Sequence, residues 1–328
     1  MPKGRSLDTT TLERRPISHP RVSVITIFLN AEEFLAEAIE SVLAQTFCDW
    51  EYLLVDDGST DASTAIAKDY VARYPEKIRR LEHPAHINRG MSATRNLGLR
   101  HALGDYVAFI DADDVWMPSK LADQVAILDA HPEVGMVCGM VIYWSSWSVG
   151  NDTVRPTGHL QDLVVYPPEA SLALYPLGSA PHSPCPSDMM VRTGSARALG
   201  GFEEQFTAQN QLYEDQAFLA KLYLAAPVYF SSKIWLKYRQ HDDSCVATVN
   251  AVGRYHDVRL YFLNWFEAYL ETKQNPDRLV LAALQRALRP YRKPRIHYLL
   301  ALPSKVRNRY HSLRSLLGRM IRTLPQHH

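Results

Sequence analysis

The chain has 328 residues, of which 46% are hydrophobic and 22% charged, and its formal net charge is +1. This composition is that of a globular protein with a large core, and it excludes disordered, fibrous and strongly basic classes of protein. The four cysteines form no C-x-x-C pair, which favours reduced thiols in a cytoplasmic protein over disulfides or structural zinc. Residues 1–20 are polar and predict a flexible leader without a signal peptide, and no apolar run is long enough to cross a membrane.

The first half of the chain alternates predicted strands with predicted helices. Apolar, β-branched runs predict strands at 22–29, 51–55, 78–82 and 106–110. Helical periodicity predicts helices after Asn30, at 62–73, at 92–102 and after Pro118. Asn30, with Glu33 three residues later, is expected to cap the first of these helices. The alternation predicts an α/β fold in which helices flank a mixed, mainly parallel sheet.

The second half is less regular. We expect long loops over 164–186, a helix after Tyr213, two short strands near 228–230 and 234–238, and only helices from Arg254 onward. These expectations divide the chain into the leader, an α/β domain over 21–250 and a helical, basic C-terminal extension over 251–328. The extension is basic because no acidic side chain follows Asp277.

Polar clusters follow three of the predicted strands. They are Asn30, Asp56-Asp57 and the acidic stretch that runs from Asp111 to Asp114. Ligands of open α/β sheets bind beyond the carboxyl ends of the strands, so these clusters predict one shared site. Carboxylates next to a buried strand call for a compensating cation, which a divalent metal on a substrate diphosphate would supply. The alternative for the acidic stretch taken alone is a solvated turn.

These motifs, taken in order, carry a resemblance to a known family. They are Val22–Asn30, Val55–Asp61 (VDDGSTD), Asn88-Arg-Gly with Arg95-Asn96, Asp111–Asp114 (DADD), Gly200-Gly-Phe202 and Glu214-Asp215. The set resembles the family 2 glycosyltransferases, which are inverting enzymes with the GT-A, Rossmann-like fold, over roughly residues 21–245. The resemblance implies that the chain moves a sugar from a nucleotide-diphospho-sugar to an acceptor hydroxyl.

The resemblance also implies the nucleotide-binding residues. Asp57 would accept the imide N–H of uracil, a donor that cytosine lacks. Asp56 would hold the nucleoside or its loop, Arg95 would face the nucleotide, and Asp111 would contact the ribose or the adjacent backbone.

The first strand departs from the family pattern. The family often ends this strand with a tyrosine that flanks the base, and this chain has Ile27-Phe-Leu-Asn30 instead. Ile27 and Leu29 are therefore the residues that we place beside the base, with Phe28 as the alternative to Leu29.

The remaining implied residues concern the metal, the donor sugar and the acid–base chemistry. Asp113 would bind Mn²⁺ or Mg²⁺, and His241 is a candidate third ligand or else an exposed loop histidine. Asp114 would orient the site or contact the sugar. Asp215 would be the catalytic base and Glu214 a supporting or acceptor-facing residue. The alternative for both is a helix N-terminus, where acids are favoured anyway.

The implied activity is non-processive transfer from a UDP-sugar to a glycan or lipid-linked acceptor, in glycan or polysaccharide synthesis. Gln285–Arg289 is similar to a motif of processive synthases, but Pro290 stands where tryptophan is expected and no spanning helices are predicted. The alternatives are a catalytically silent nucleotide-sugar-binding or scaffold protein and a sugar nucleotidylyltransferase. The latter needs a glycine-rich phosphate loop that is lacking after the first strand.

The basic extension carries an apolar stripe at helical spacing. Its residues are Val306, Tyr310, Leu313, Leu317, Met320 and Leu324, with arginines around them. Such a helix can lie on an anionic membrane surface, here through residues 296–324 and on the inner face of the membrane. It can equally pack on the protein itself or form a homodimer. Nucleic acid is not expected as a partner, because no reader motif is present.

Overall fold

The computed structural model describes residues 19–158, 161–178, 182–293 and 295. Its strands are β1 (Val22–Phe28), β2 (Trp50–Asp56), β3 (Ile78–Glu82), β4 (Tyr106–Phe109), β5 (Val115–Trp116), β6 (Met136–Trp144), β7 (Thr153–Arg155), β8 (Leu163–Val165), β9 (Met190–Arg192) and β10 (Val228–Arg239). Its helices are α1 (Leu35–Leu43), α2 (Ser63–Arg73), α3 (Met91–His101), α4 (Lys120–Ala130), α5 (Thr193–Ala198), α6 (Glu214–Ala225), α7 (Cys245–Ala251), α8 (Tyr255–Glu271) and α9 (Arg278–Arg292).

The strands form one mixed sheet in the order β3-β2-β1-β4-β9-β6-β10-β5, with β7 paired to β6 and β8 paired to β10. The β1–β2, β2–β3, β1–β4 and β6–β10 pairs are parallel, whereas β9 runs antiparallel to both β4 and β6. The mainly parallel α/β architecture predicted from the sequence is therefore confirmed. The carboxyl ends of β1, β2 and β4 meet at one edge, where ligands of such sheets bind.

Two hydrophobic cores cover the two faces of the sheet. On one face α1, α2 and α4 pack on the strands, through residues such as Ile39 and Leu121. On the other face α3, α6, α8 and α9 share a core, for example through Phe262 and Leu284. All seven residues of β1 are buried, because helices cover both sides of it.

Two local predictions are wrong. Asn30 does not cap α1, which begins at Leu35. Instead Asn30 takes a left-handed conformation (φ 50°), and its side-chain oxygen accepts a hydrogen bond from the Thr60 amide at 2.8 Å. The two short strands expected near 228–230 and 234–238 are one strand, β10, because its pairing with β6 shifts register between Phe230 and Leu236 instead of ending there.

The long loops expected over 164–186 also contain ordered structure. Strand β8 begins at Leu163, and single helical turns occupy Glu169–Ala173 and Tyr175–Leu177. Beyond α9, the apolar stripe from Val306 to Leu324 lies outside the described residues. Within the described ranges, no helix combines the length and the apolar character that crossing a bilayer requires.

Candidate active site

Two adjoining cavities open beyond the carboxyl ends of the strands. The larger, of about 1500 Å³, is lined by the loops that follow β1, β2 and β4. The smaller, of about 950 Å³, is lined by β6, β7, the start of α6 and the segment after β10. Tyr238, His241 and Ser244 line both cavities, so the two spaces meet at the end of β10.

The two acids at the end of β2 have different environments. Asp56 is fully buried, and its carboxylate accepts hydrogen bonds from the Ser59 amide and the Thr64 hydroxyl, so it builds the loop. Asp57 lines the larger cavity, and its two oxygens accept the amide N–H groups of Arg89 (2.7 Å) and Gly90 (3.1 Å). Each carboxylate oxygen can accept more than one bond, so Asp57 keeps capacity for a ligand N–H.

A glycine lets these two loops approach each other. Gly58 has φ +87°, and a Cβ atom at this position would lie 2.9 Å from the backbone nitrogen of Asn88. Any other residue would strain the backbone and push the 88–90 segment away from Asp57. The motif glycine is therefore explained by the close approach that orients the Asp57 carboxylate.

The apolar wall of the larger cavity includes the end of β1. Ile27 is almost buried and Leu29 is 43% exposed, and both line the cavity beside Asp57. Phe28 also reaches the lining, although it is 3% exposed and packs mainly in the core beneath α1. Leu29 is thus the most accessible apolar surface of the three for a base.

The acidic stretch after β4 contains two partly exposed acids and one buried acid. Asp111 and Asp113 line the larger cavity. Asp114 is fully buried, where its carboxylate accepts hydrogen bonds from the Ser187 hydroxyl and the Arg239 amide. Burial raises the pKa of Asp114 well above its usual value. Asp114 therefore fixes the acidic loop to β10 and lies behind the cavity surface.

A buried arginine lies between two of the acids. Arg95 on α3 is 2% exposed, and its guanidinium donates hydrogen bonds to Glu214 and, at 2.5 Å, to Asp111. Burial opposes the charge of Arg95, but these carboxylates raise its pKa above the usual value. Burial also raises the pKa of Glu214, and the adjacent guanidinium opposes that shift. Neither Arg95 nor Glu214 lines either of the two cavities, and the Arg95 guanidinium holds the Asp111 and Glu214 carboxylates together.

Asp113 and His241 form a pair where the two cavities meet: Asp113 lines the larger cavity, and His241 lines both. The Nε2 atom of His241 lies 2.9 Å from an Asp113 carboxylate oxygen, and this hydrogen bond raises the pKa of His241. Both side chains are partly exposed, at 30% for Asp113 and 15% for His241. A carboxylate oxygen and an imidazole nitrogen are suitable ligands for Mn²⁺, and the accessible carboxylate of Asp111 is two residues away. The donor set therefore fits a divalent metal.

A second acidic group lies on the other side of β2. Asp56, Glu82 and His86 bring ligand atoms within 4.8 Å of one another. The guanidinium of Arg80 already provides the positive charge there, since it lies 2.9 Å from Glu82 and 3.5 Å from Asp56. This group is therefore an ion-pair cluster that has no need of a metal.

Asp215 stands in the first turn of α6 and lines the smaller cavity. Its two carboxylate oxygens accept hydrogen bonds from the Gln216 amide (2.7 Å) and the Gln216 side chain (3.2 Å). Burial raises the pKa of Asp215 to about 6, against these hydrogen bonds. The group is thus ionised at neutral pH and has a pKa suited to accepting a proton.

Arg239, which is 4% exposed at the end of β10, was not among the site residues predicted from the sequence. Its Nε donates to the Asp113 carbonyl at 2.7 Å, its amide donates to Asp114, and its guanidinium forms an ion pair with Glu37. Three aromatic rings surround the guanidinium at 4.4–4.9 Å, those of Phe34, Trp144 and Trp147. The signal that the sequence offered was an arginine directly after the strand predicted near 234–238, two positions before His241.

Comparison with known proteins shows similarity to glycosyltransferases, in sequence and in fold. Residues 23–166 match the family model for glycosyl transferase family 2. EpsE of Bacillus subtilis (strain 168), described provisionally as a glycosyltransferase, is 42% identical over 127 residues. The match covers 38% of this chain and 45% of EpsE, so the chain spans less than half the length of this relative.

Solved structures show the same fold at low identity. TarS 1-349 of S. aureus in complex with UDP-GlcNAc superposes with a TM-score of 0.63 at 21% identity, over 82% of this chain and 71% of that one. The mannosyltransferase PcManGT of Pyrobaculum calidifontis, in complex with GDP-Man and Mn²⁺, gives 0.57 at 18% identity, over 92% and 81%. With the ordered motifs and the sheet topology, these matches lead to one conclusion: residues 23–166 are similar to glycosyl transferase family 2, and the described chain has the GT-A fold of such enzymes.

Proposed function

We propose that the protein is an inverting, non-processive glycosyltransferase that moves a sugar from a nucleotide-diphospho-sugar to an acceptor hydroxyl in glycan or polysaccharide synthesis. One observation carries this proposal. Asp57, Asp111 and Asp113 line one cavity, Asp215 lines the other, and the two cavities meet at Tyr238 and His241. A donor in the larger cavity and an acceptor in the smaller would bring their reacting atoms together at that junction.

Our proposed donor is a UDP-sugar. Asp57 would accept the imide N–H of uracil while the Arg89 and Gly90 amides hold its carboxylate in place. Ile27 and Leu29 would contact the base, and Asp111, held by Arg95, would face the ribose. Among the structures that resemble this one, TarS binds UDP-GlcNAc and PcManGT binds GDP-Man, so GDP is the competing nucleotide.

Asp113 and His241 would hold Mn²⁺ or Mg²⁺ against the donor diphosphate. When bound, such an ion neutralises the charge that develops on the departing diphosphate. Arg239 holds the Asp113 backbone, and Ser187 and Asp114 hold the loop from below, so these residues would keep the ligands oriented.

Asp215 would act as the catalytic base. Its carboxylate would take the proton of the acceptor hydroxyl as that oxygen forms a bond to the anomeric carbon and the bond from this carbon to the diphosphate oxygen breaks. Attack from the smaller cavity, opposite the diphosphate, inverts the configuration of the anomeric carbon. Glu214, paired with Arg95, would support the base from behind.

Product stereochemistry tests the reaction class. The full chain, with Mn²⁺, is incubated with α-linked UDP-sugars and a mixture of glycoside acceptors, and the new linkage is examined by proton NMR. We expect a β-linkage, because a single displacement inverts the donor configuration. An α-linked product would contradict the role of Asp215, and nucleotidyl transfer without a glycosidic product would favour the nucleotidylyltransferase.

We further propose that the segment 296–324 brings the enzyme to an anionic membrane surface that carries a lipid-linked acceptor. The basis is its sequence alone, in which arginines surround the apolar stripe from Val306 to Leu324. Deletion of residues 296–328 is expected to abolish flotation with phosphatidylglycerol-containing liposomes, while zwitterionic liposomes serve as the control. Flotation that is unchanged by the deletion would exclude this role and leave self-packing or dimerisation.

A further inference from the structure

The wall of the smaller cavity carries an arginine side chain, that of Arg155. Arg155, at the end of β7, is the only lysine or arginine in the described part of its lining. Strand β7 pairs antiparallel with β6, so Arg155 lies opposite Val141 on the cavity wall. Arg155 does not line the larger cavity, where the donor is placed.

Two aromatic groups hold the Arg155 side chain in place. Its guanidinium carbon lies 4.8 Å from the centre of the Tyr143 ring, and its Nη1 atom lies 3.2 Å from Nε2 of His182. Burial and the adjacent arginine both lower the pKa of His182, so the imidazole is neutral and accepts a hydrogen bond from Arg155. These contacts orient the guanidinium without neutralising its charge.

Arg155 has no anionic partner in the described ranges of the chain. No carboxylate oxygen of these ranges lies within 4.0 Å of it, and its buried Nε atom has no hydrogen-bond partner there. Two acids line the same cavity, Asp215 and Asp242, and neither forms an ion pair with Arg155 in the described ranges. Buried donors are nearly always satisfied in folded proteins, and an oriented guanidinium without a partner is suited to an anionic ligand.

We propose that the acceptor saccharide carries an anionic oxygen group, a phosphate ester or a carboxylate, and that Arg155 binds this group. The inference rests on the proposed function, because Asp215 is what identifies the smaller cavity as the acceptor side. A saccharide is favoured because the tyrosines at 143, 175 and 238 give this cavity flat aromatic walls with polar edges, which suit a polyhydroxylated ring. The planar guanidinium fork can bind two oxygens of either anion at once.

Binding of matched probes tests this proposal. The probes are methyl β-glucoside, its 6-phosphate and methyl β-glucuronide, each titrated into the full chain in the presence of UDP and Mn²⁺ and followed by calorimetry. We expect at least one anionic probe to bind about 10-fold or more tighter than the neutral glucoside, because a charge-assisted hydrogen bond has at least that effect. Tighter binding of the 6-phosphate would identify the anionic group as a phosphate ester, and tighter binding of the glucuronide would identify it as a carboxylate.

Three variants make the test specific. Arg155→Met is expected to remove the preference for the anionic probe, and Arg155→Lys to keep part of it, because the charge remains and the fork is lost. Arg73→Met, which removes an exposed arginine of α2 that lines neither cavity, is the control and should keep the full preference.

The outcomes separate this inference from the proposed function. If neither UDP nor GDP binds to the wild-type chain with or without Mn²⁺, the proposed function fails. If UDP binds but the three probes bind equally, or neither anionic probe binds, the anionic acceptor alone is wrong. If the wild type and Arg155→Met prefer an anionic probe over the neutral glucoside to the same extent, the assignment of Arg155 is also wrong.

Discussion

Replacing Asp215 with asparagine is expected to lower kcat by about 10²–10⁴-fold, the usual contribution of a positioned general base. Asparagine keeps the size of the side chain and can still contact Gln216, but it cannot accept the acceptor proton. The dissociation constant of UDP should stay within about twofold, because Asp215 lies in the smaller cavity and the nucleotide in the larger one.

The pH dependence of kcat/KM provides a second readout of the same residue. Burial raises the pKa of Asp215 to about 6, and the base works only in its ionised form. Activity of the wild-type enzyme should therefore be constant above that pH and fall up to about tenfold per unit below it. The residual activity of Asp215→Asn should lack this acid limb.

The control for this prediction is Asp69→Asn on the surface of α2, where the carboxylate is exposed and pairs with Arg73. Its rate and pH profile should match the wild type. Transfer by Asp215→Asn at the wild-type rate, with the same acid limb, would show that another group is the base. A wild-type chain that binds UDP but transfers no sugar to any acceptor would favour the catalytically silent alternative.

Replacing Arg95 with methionine is expected to lower the free energy of unfolding by about 3–5 kcal/mol, because it leaves two buried or partly buried carboxylates without their cation. Methionine has a similar length, so the loss of charge and hydrogen bonds dominates over the loss of volume. Chemical denaturation at neutral pH measures the change. The control is Arg100→Met on the same helix, whose side chain is 60% exposed and lies 4.0 Å from Glu204; it should cost less than about 1 kcal/mol.

A double-mutant cycle assigns this cost to the ion pair. Glu214→Gln removes one of the two acids that face Arg95, so the double variant Arg95→Met/Glu214→Gln should be more stable than the sum of the single losses predicts. Additive losses would mean that Arg95 acts through packing, for example on the Phe202 ring at 5.5 Å, and that the pair with Glu214 contributes little.

Much of the fold was accessible from local patterns. Buried strands of a parallel sheet are continuous apolar runs, so β1, β2 and β4 stand out in the sequence, and the helices between them show their periodicity. β10 was misread as two strands because its centre, Ser231-Ser232-Lys233, is polar. The amide of Ser232 instead bonds to the Asp162 side chain at 2.8 Å, a contact that no local pattern indicates.

The sequence was sufficient to predict which residues belong to the candidate site, but not how buried they are or which residues they pair with. Strand ends place Asp57, Asp111 and Asp113 at one edge of the sheet, and the family motifs mark Asp215. The sequence does not show which acids are buried, so Asp56 and Asp114 look equivalent to their neighbours although they build the loops. Arg95 was expected to face the nucleotide, but its partners Asp111 and Glu214 are 16 and 119 positions away. Such pairings depend on the packing of distant elements.

In our proposal the larger cavity binds a uridine nucleotide together with a divalent metal. The most direct measurement is calorimetric titration of UDP into the full chain with and without Mn²⁺, beside Asp57→Ala and Asp113→Ala, and with GDP as the competing nucleotide. We expect that wild-type UDP binding requires Mn²⁺, is tighter than GDP binding and weakens by about 10-fold or more in each variant. UDP binding that is indifferent to Mn²⁺ and to both substitutions, or no UDP binding at all, would contradict this proposal.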